Sequence, residues 1–193
     1  MREQARSLAA LCAVVFASVS HGQAFEPGAN VLTAGLGIGG HWGAYGTYSS
    51  QSPGIGIAYE KATSIDVGPG VLGLGGYLGY KSLAARERNG VYDYDFRWTY
   101  TILGFRGAYH WNEWHQVPEL DTYGGLMLSY NVVSFKDRTD YPSGTTHYSY
   151  SSASGLGLSL YFGGRYYFTD KIGAYGELGY GIAYLTLGAA FKL

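Results

Sequence analysis

The sequence predicts an all-β protein, an eight-stranded antiparallel up-and-down transmembrane β-barrel, and three observations lead there. About eight segments of roughly ten residues alternate apolar positions with polar or glycine ones. Beyond residue 24 no stretch approaches the roughly 20 apolar residues of a spanning helix, so a membrane fold must pair its backbone groups in a closed sheet. Glycine (31) and tyrosine (20) are abundant while only 14% of residues are charged, which suits twisted strands carrying aromatic side chains.

The first 24 residues read as a cleaved signal peptide. Arg2 and Arg6 give a positive start, Leu8 to Val19 a short apolar run, and Gly22-Gln23-Ala24 the small residues of a cleavage site. Cleavage after Ala24 leaves residues 25–193 as one barrel domain, with the net charge moving from -1 to -2 once Arg2, Glu3 and Arg6 are gone. Cys12 leaves with this segment, which excludes disulfides, thiol catalysis and cysteine metal ligation in the mature chain. Leu11 before Cys12 is unsuited to lipoprotein processing. The near-neutral balance lacks the basic footprint of nucleic-acid binding.

The strands are expected near residues 29–39, 54–64, 70–83, 98–111, 120–135, 154–168, 171–180 and 182–193. Two faces are clearest in the third and sixth. Leu72, Leu74, Leu78 and Tyr80 alternate with Gly73, Gly75, Tyr77 and Lys81; Leu156, Leu158, Leu160, Phe162, Tyr166 and Phe168 alternate with Gly157, Ser159, Tyr161, Gly163 and Arg165. The apolar set is assigned to lipid and the other to the lumen, the inverse of a soluble barrel. With the N-terminus in the periplasm, the long connections 40–53, 84–97 and 136–153 face outward, and 65–69, 112–119 and 169–170 are periplasmic turns.

The last strand, Tyr184 to Leu193, resembles the C-terminal signal by which outer-membrane barrels are recognised for assembly. Thr186, Gly188, Phe191 and Leu193 fit its polar, glycine, aromatic and terminal hydrophobic positions, with Leu193 standing where such chains usually end in Phe. Tyr175-Gly176-Glu177-Leu178-Gly179-Tyr180-Gly181 and Asp121-Thr122-Tyr123-Gly124-Gly125-Leu126 resemble strands of the small outer-membrane β-barrel domain families, akin to OmpA-type membrane domains. That resemblance implies location in the bacterial outer membrane, contact with its lipids and lipopolysaccharide, and handling by the barrel assembly machinery. It implies no single activity, because this scaffold hosts adhesins, enzymes and structural proteins.

Alternation turns Glu60, Arg106, Arg165 and Glu177 into the lumen, with Lys81 and Lys192 as further candidates. An eight-stranded barrel is only wide enough for side chains to fill, so these charges are expected to pair as a packed network rather than line a path. Trp98, Tyr100, Tyr109, Trp111, Trp114, Tyr166, Tyr167 and Phe168 lie toward strand ends, where an interfacial girdle belongs. The loop residues His41, Trp42, Tyr45 and Tyr48, and Tyr141, His147, Tyr148 and Tyr150, sit among Gly, Ser and Thr as in adaptable binding surfaces and are the candidates for an extracellular ligand.

His147-Tyr148-Ser149 has the His-x-Ser spacing found in lipid A deacylases, where a histidine activates a serine. The asparagine that follows the serine in that family is missing, and no acid partner is evident. The five histidines show no paired metal-ligand spacing, and the Gly-x-Gly runs lie within strands rather than at a strand-to-helix phosphate loop. The expectation is therefore a non-enzymatic outer-membrane barrel without metal or cofactor, serving a structural role or binding and adhesion through its loops. The alternatives are a lipid A deacylase-like hydrolase and a small-solute channel.

Overall fold

A computed structural model describes residues 24–40, 49–89, 92–141 and 154–193. Its strands are β1 (Asn30–Ile38), β2 (Ser50–Gln51), β3 (Gly54–Val67), β4 (Gly70–Asn89), β5 (Tyr92–His110), β6 (Leu120–Asp137), β7 (Gly155–Tyr167), β8 (Ile172–Gly179) and β9 (Leu185–Lys192). Every pairing is antiparallel, and the eight long strands follow one another around a ring that β1 and β9 close. Leu32 stands opposite Phe191 and Leu36 opposite Leu187 at that seam. Over the span that these eight strands share, the ring is closed on both sides of every strand, which is how a sheet meets the requirement that every backbone group in lipid be paired.

The exterior carries the apolar set. Leu156, Leu158, Leu160 and Phe162 of β7, Leu103 and Phe105 of β5, and Leu126 and Leu128 of β6 are all exposed. Residues of the opposite parity on the same strands, Tyr161, Arg165, Ile102, Arg106, Tyr123 and Met127, are buried inside the ring. This apolar-out arrangement is that of a transmembrane β-barrel. Glycines on the inner face make room for large luminal rings. A Cβ on Gly163 would stand 2.6 Å from the Tyr123 hydroxyl, and one on Gly125 would stand 2.6 Å from that of Tyr161.

The strand positions follow the sequence reading except above the membrane band and at the expected 65–69 turn, where β3 runs on to Val67 with a register shift between Ala62 and Asp66. Residues 84–97, expected as a loop, are mostly strand: β4 and β5 stay paired up to Asn89 opposite Tyr92. The tiny β2 pairs with this extension, Ser50 opposite Ala84. The connections between β3 and β4 and between β7 and β8 are short, and the one between β5 and β6 runs from 111 to 119. We call this end of the barrel the turn end and the opposite one the loop end.

Candidate functional site

Two connected charge clusters fill the turn-end half of the lumen. In the deeper one, Arg106 of β5 reaches across to Glu177 of β8, Nη2 to Oε2 at 2.6 Å. The Tyr123 hydroxyl donates to the same carboxylate oxygen at 3.3 Å, and the guanidinium lies 3.7 Å from the centre of the Tyr161 ring. Both partners are nearly excluded from solvent, so the charge assistance and the ring face replace the lost hydration. The cavity beside them has a volume of about 30 Å³, room for a single water.

Nearer the turn end, four residues from four strands meet. Arg165 of β7 donates to Asp121 of β6 at 3.2 Å and to Glu60 of β3. His110 of β5 sits between the same two acids, Nδ1 to Asp121 Oδ1 and Nε2 to Glu60 Oε1, each at 2.8 Å. With both carboxylates ionised, the ring serves both contacts only by carrying a proton on each nitrogen. The cluster of four is then neutral, as burial of this depth requires.

Phe25 closes the assembly from below. Its ring stacks on His110 with centroids 3.7 Å apart and planes 17° from parallel, and it is 1% exposed. Ala24, Val31, Ala62, Tyr167, Tyr175 and Ala190 form the apolar collar around it. The chain segment before β1 thus stoppers the turn end with an aromatic side chain.

The residues singled out in the sequence fall into three groups. Glu60, Arg106, Arg165 and Glu177 all lie in the lumen and are brought together as two acid–base sets. Lys81 is buried toward the loop end, its ammonium donating to the Gly39 carbonyl at 2.6 Å, and Lys192 lies 4.3 Å from the Tyr167 ring centre. Thr186, Gly188, Phe191 and Leu193 lie on or beside the closing strand. Gly188 faces Gly35 across the seam, Phe191 and Leu193 point outward, and Leu193 N donates to the Asn30 carbonyl at 3.0 Å.

Tyr141 is placed at the loop end, where its hydroxyl donates to Asp137 at 3.0 Å. His41, Trp42, Tyr45, Tyr48, His147, Tyr148, Ser149 and Tyr150 lie outside the described residues. Three girdle assignments are corrected: Trp98, Tyr100 and Tyr167 lie on the inner face, Tyr100 and Tyr167 buried there, because they share the strand parity of Arg106 and Arg165. Trp111, Trp114, Tyr166 and Phe168 are exposed at the turn end. The sequence reading missed His110, Asp121 and Phe25. Continuing the alternation from Arg106 through Ala108 would have found His110, and from Tyr123 back to Asp121 its partner; no periodic signal precedes β1 to mark Phe25.

His110 bears a carboxylate on Nδ1, the arrangement that orients a catalytic base, yet its Nε2 meets Glu60 rather than a hydroxyl. Among the described residues the ring therefore meets no hydroxyl that it could activate. Among the described residues no group of three or more His, Cys, Asp or Glu side chains is arranged to hold a metal ion.

No protein-family profile and no curated protein matches this chain. Solved structures with a similar course include a designed transmembrane β-barrel at 14% identity, covering 89% of this chain and 100% of that one, with a TM-score of 0.46. They also include the attachment invasion locus protein Ail of Yersinia pestis, alone and in complex with the heparin analogue sucrose octasulfate. Both Ail structures share 14% identity, cover 87% of this chain and 100% of that one, and have TM-scores of 0.48 and 0.49. The ring itself is established by its own register, strand against strand.

Proposed function

We propose that the chain is exported, loses residues 1–24, and is assembled into the bacterial outer membrane as a non-enzymatic barrel whose loop end carries a structural or binding role. The observation that supports this most directly is the pairing of an apolar exterior with a lumen closed by neutral ion clusters. Such an interior holds the barrel shut and leaves recognition to the loop end. A conducting pore would need Arg106, Glu177 and Tyr161 to vacate the same cross-section. Thr186, Gly188, Phe191 and Leu193 would serve as the strand read by the assembly machinery, and membrane lipids and lipopolysaccharide would meet the exterior.

Cell fractionation tests the reading. The mature protein is expected in the outer-membrane fraction, starting at Phe25 by N-terminal sequencing, and to migrate differently in detergent gels before and after boiling. Planar bilayers holding the refolded protein should show no steady conductance. A soluble periplasmic protein, or a stable ion-selective pore, would overturn it.

A further inference from the structure

On the outer wall of β4 to β7, near the turn end, two rows of facing residues each lack one side chain. Leu74, Gly107, Leu126 and Leu160 stand opposite one another in one row, and Leu72, Tyr109, Gly124 and Phe162 in the next. Every other position in these rows carries a large side chain, and the two gaps, Gly107 on β5 and Gly124 on β6, lie on a diagonal. They form the floor of a groove of about 760 Å³, within the ~300–1,000 Å³ of sites that hold a small ligand. Phe105, Leu128 and Leu158 border its upper part, and Trp111 and Trp114 its lower end.

The groove offers a ligand no polar handle. Among the described residues no Lys, Arg, Asp or Glu lines it. The polar groups at its edge are engaged within the chain. Trp114 Nε1 donates to Thr122 Oγ1 at 3.1 Å, that hydroxyl donates to the Trp111 carbonyl at 2.8 Å, and the Tyr109 hydroxyl donates to the Val67 carbonyl at 2.9 Å. A sugar or a peptide backbone laid here would bury its own polar groups without partners, so the occupant is hydrocarbon.

Depth and length identify the hydrocarbon. The rise from Thr122 to Leu128 is about 20 Å along β6 and about 15 Å along the membrane normal at a strand tilt near 40°. That is half of a hydrocarbon core about 30 Å thick. The groove thus runs from the interface, where the two tryptophans stand, to the middle of the bilayer. A fatty acyl chain anchored in the leaflet at the turn end covers that distance, whereas a chain from the opposite leaflet would reach only its far end.

From this we propose that the groove seats one acyl chain of a glycerophospholipid from the leaflet at the turn end. The inference rests on the outer-membrane reading above and goes beyond general contact between the exterior and lipid, since one chain is held in one place by shape and not by charge. Within hydrocarbon no water is released, so the hold comes from dispersion contacts that a loosely filled groove would forfeit.

The test uses the refolded mature protein and three variants. A Cβ on Gly107 would meet only Leu74 Cδ2, at the ordinary contact distance of 3.5 Å, so Gly107→Ile fills the floor without forcing the strand. Trp114→Ala opens the lower end, and Ala34→Ile adds bulk to the exposed exterior of β1, outside the groove. Each protein is titrated with phospholipid in detergent micelles, and the lipid kept once the detergent is stripped is counted by native mass spectrometry. One phospholipid is expected on the parent and on Ala34→Ile, with retention about tenfold weaker in Gly107→Ile and in Trp114→Ala. Exchanging a phosphoethanolamine headgroup for phosphoglycerol should leave retention unchanged, while shortening the acyl chains should lower it as the two variants do.

Equal retention by Gly107→Ile and the parent would overturn the seat, as would retention that follows headgroup charge and ignores chain length. So would a preference for lipid A, the lipid of the opposite leaflet, or a second copy of the barrel in place of the lipid. Heat-modifiable migration is read on every sample. Its absence from the parent would sink the membrane reading itself, whereas its presence with no lipid retained would sink only the groove. Should Gly107→Ile alone lose that migration, the decision passes to Trp114→Ala, where retention equal to the parent's overturns the seat and a tenfold loss supports it.

Discussion

The two ends of the barrel handle charge in opposite ways although β5 and β6 run through both. At the turn end these strands supply His110 and Asp121 to a cluster in which each acid meets a cation and each cation an acid. At the loop end the same two strands carry Arg97, Lys136 and Arg138 on the outer surface, beside Asp95, whose one ion pair among the described residues is with Arg86. The difference follows from the surroundings. A charge inside the ring has no water to fall back on and must be neutralised within the protein, while one on the outer rim is hydrated or met by whatever anion the membrane offers. Rigidity therefore belongs to one end and surplus charge, the raw material of recognition, to the other.

Removing Arg165 is the strongest way to break this contrast. Arg165→Met leaves Glu60 and Asp121 buried with His110 as their one cation, and the cost is expected to be about 3–5 kcal/mol. Urea unfolding of the refolded barrel in detergent micelles measures it. Adding Glu60→Gln to the same chain should return part of the loss, because it removes the charge left over. A change below about 1 kcal/mol would show that water enters the cluster and that the turn end is not dry.

Next in size is the aromatic stopper. Phe25→Ala removes a buried ring stacked on His110 and should cost about 3 kcal/mol, at the low end of large-to-small core substitutions because solvent can partly refill the opening. The same unfolding measurement applies. An unchanged midpoint would mean that the turn end is closed by β-strand side chains alone.

How far these regions could be read from sequence differs for the same physical reason. Period-two alternation places Glu60, Arg106, Arg165 and Glu177 on one face wherever one face meets lipid, since a slip of one residue would send a charge into hydrocarbon. Which acid meets which base depends on the stagger of strands around the ring, and stagger leaves no local mark. His110 carries no such mark in the sequence, because Tyr109 and Trp111 on either side read as girdle aromatics. The extension of β4 and β5 is hidden for a related reason. Tyr94, Phe96 and Trp98 alternate with Asp93, Asp95 and Arg97, but above the membrane neither face is apolar enough to tell strand from polar loop.

At the loop end a moderate effect is expected from the aromatic cluster on the inner face of that extension. Trp98 and Phe135 lie 5.2 Å apart between ring centres, and Phe96 lies 5.7 Å from Phe135. Phe135→Ala should cost about 1 kcal/mol or slightly more, the range for aromatic pairs that are only half-buried. Limited proteolysis of the β4–β5 extension gives a second readout, since loosening it should expose cleavage sites there while the membrane-embedded ring stays protected. Protection unchanged in the variant would mean that strand pairing alone holds the extension up.

The smallest effect should come from the ion pair that most resembles the buried ones on paper. Arg86 Nε and Asp95 Oδ2 stand 3.2 Å apart, the same separation as Arg165 and Asp121, yet the Arg86 side chain is 69% exposed where that of Arg165 is 3%. Water and salt screen the outer pair, and fixing two mobile side chains offsets much of the attraction, so an Arg86→Gln/Asp95→Asn double-mutant cycle should return a coupling of less than about 1 kcal/mol. Raising the salt concentration should shrink that coupling further and leave the effect of Arg165→Met unchanged. A coupling of about 2 kcal/mol or more that persists in high salt would show that the rim is as dry as the lumen. Equal separations would then mean equal strength, and the opposition between the two ends would have to be abandoned.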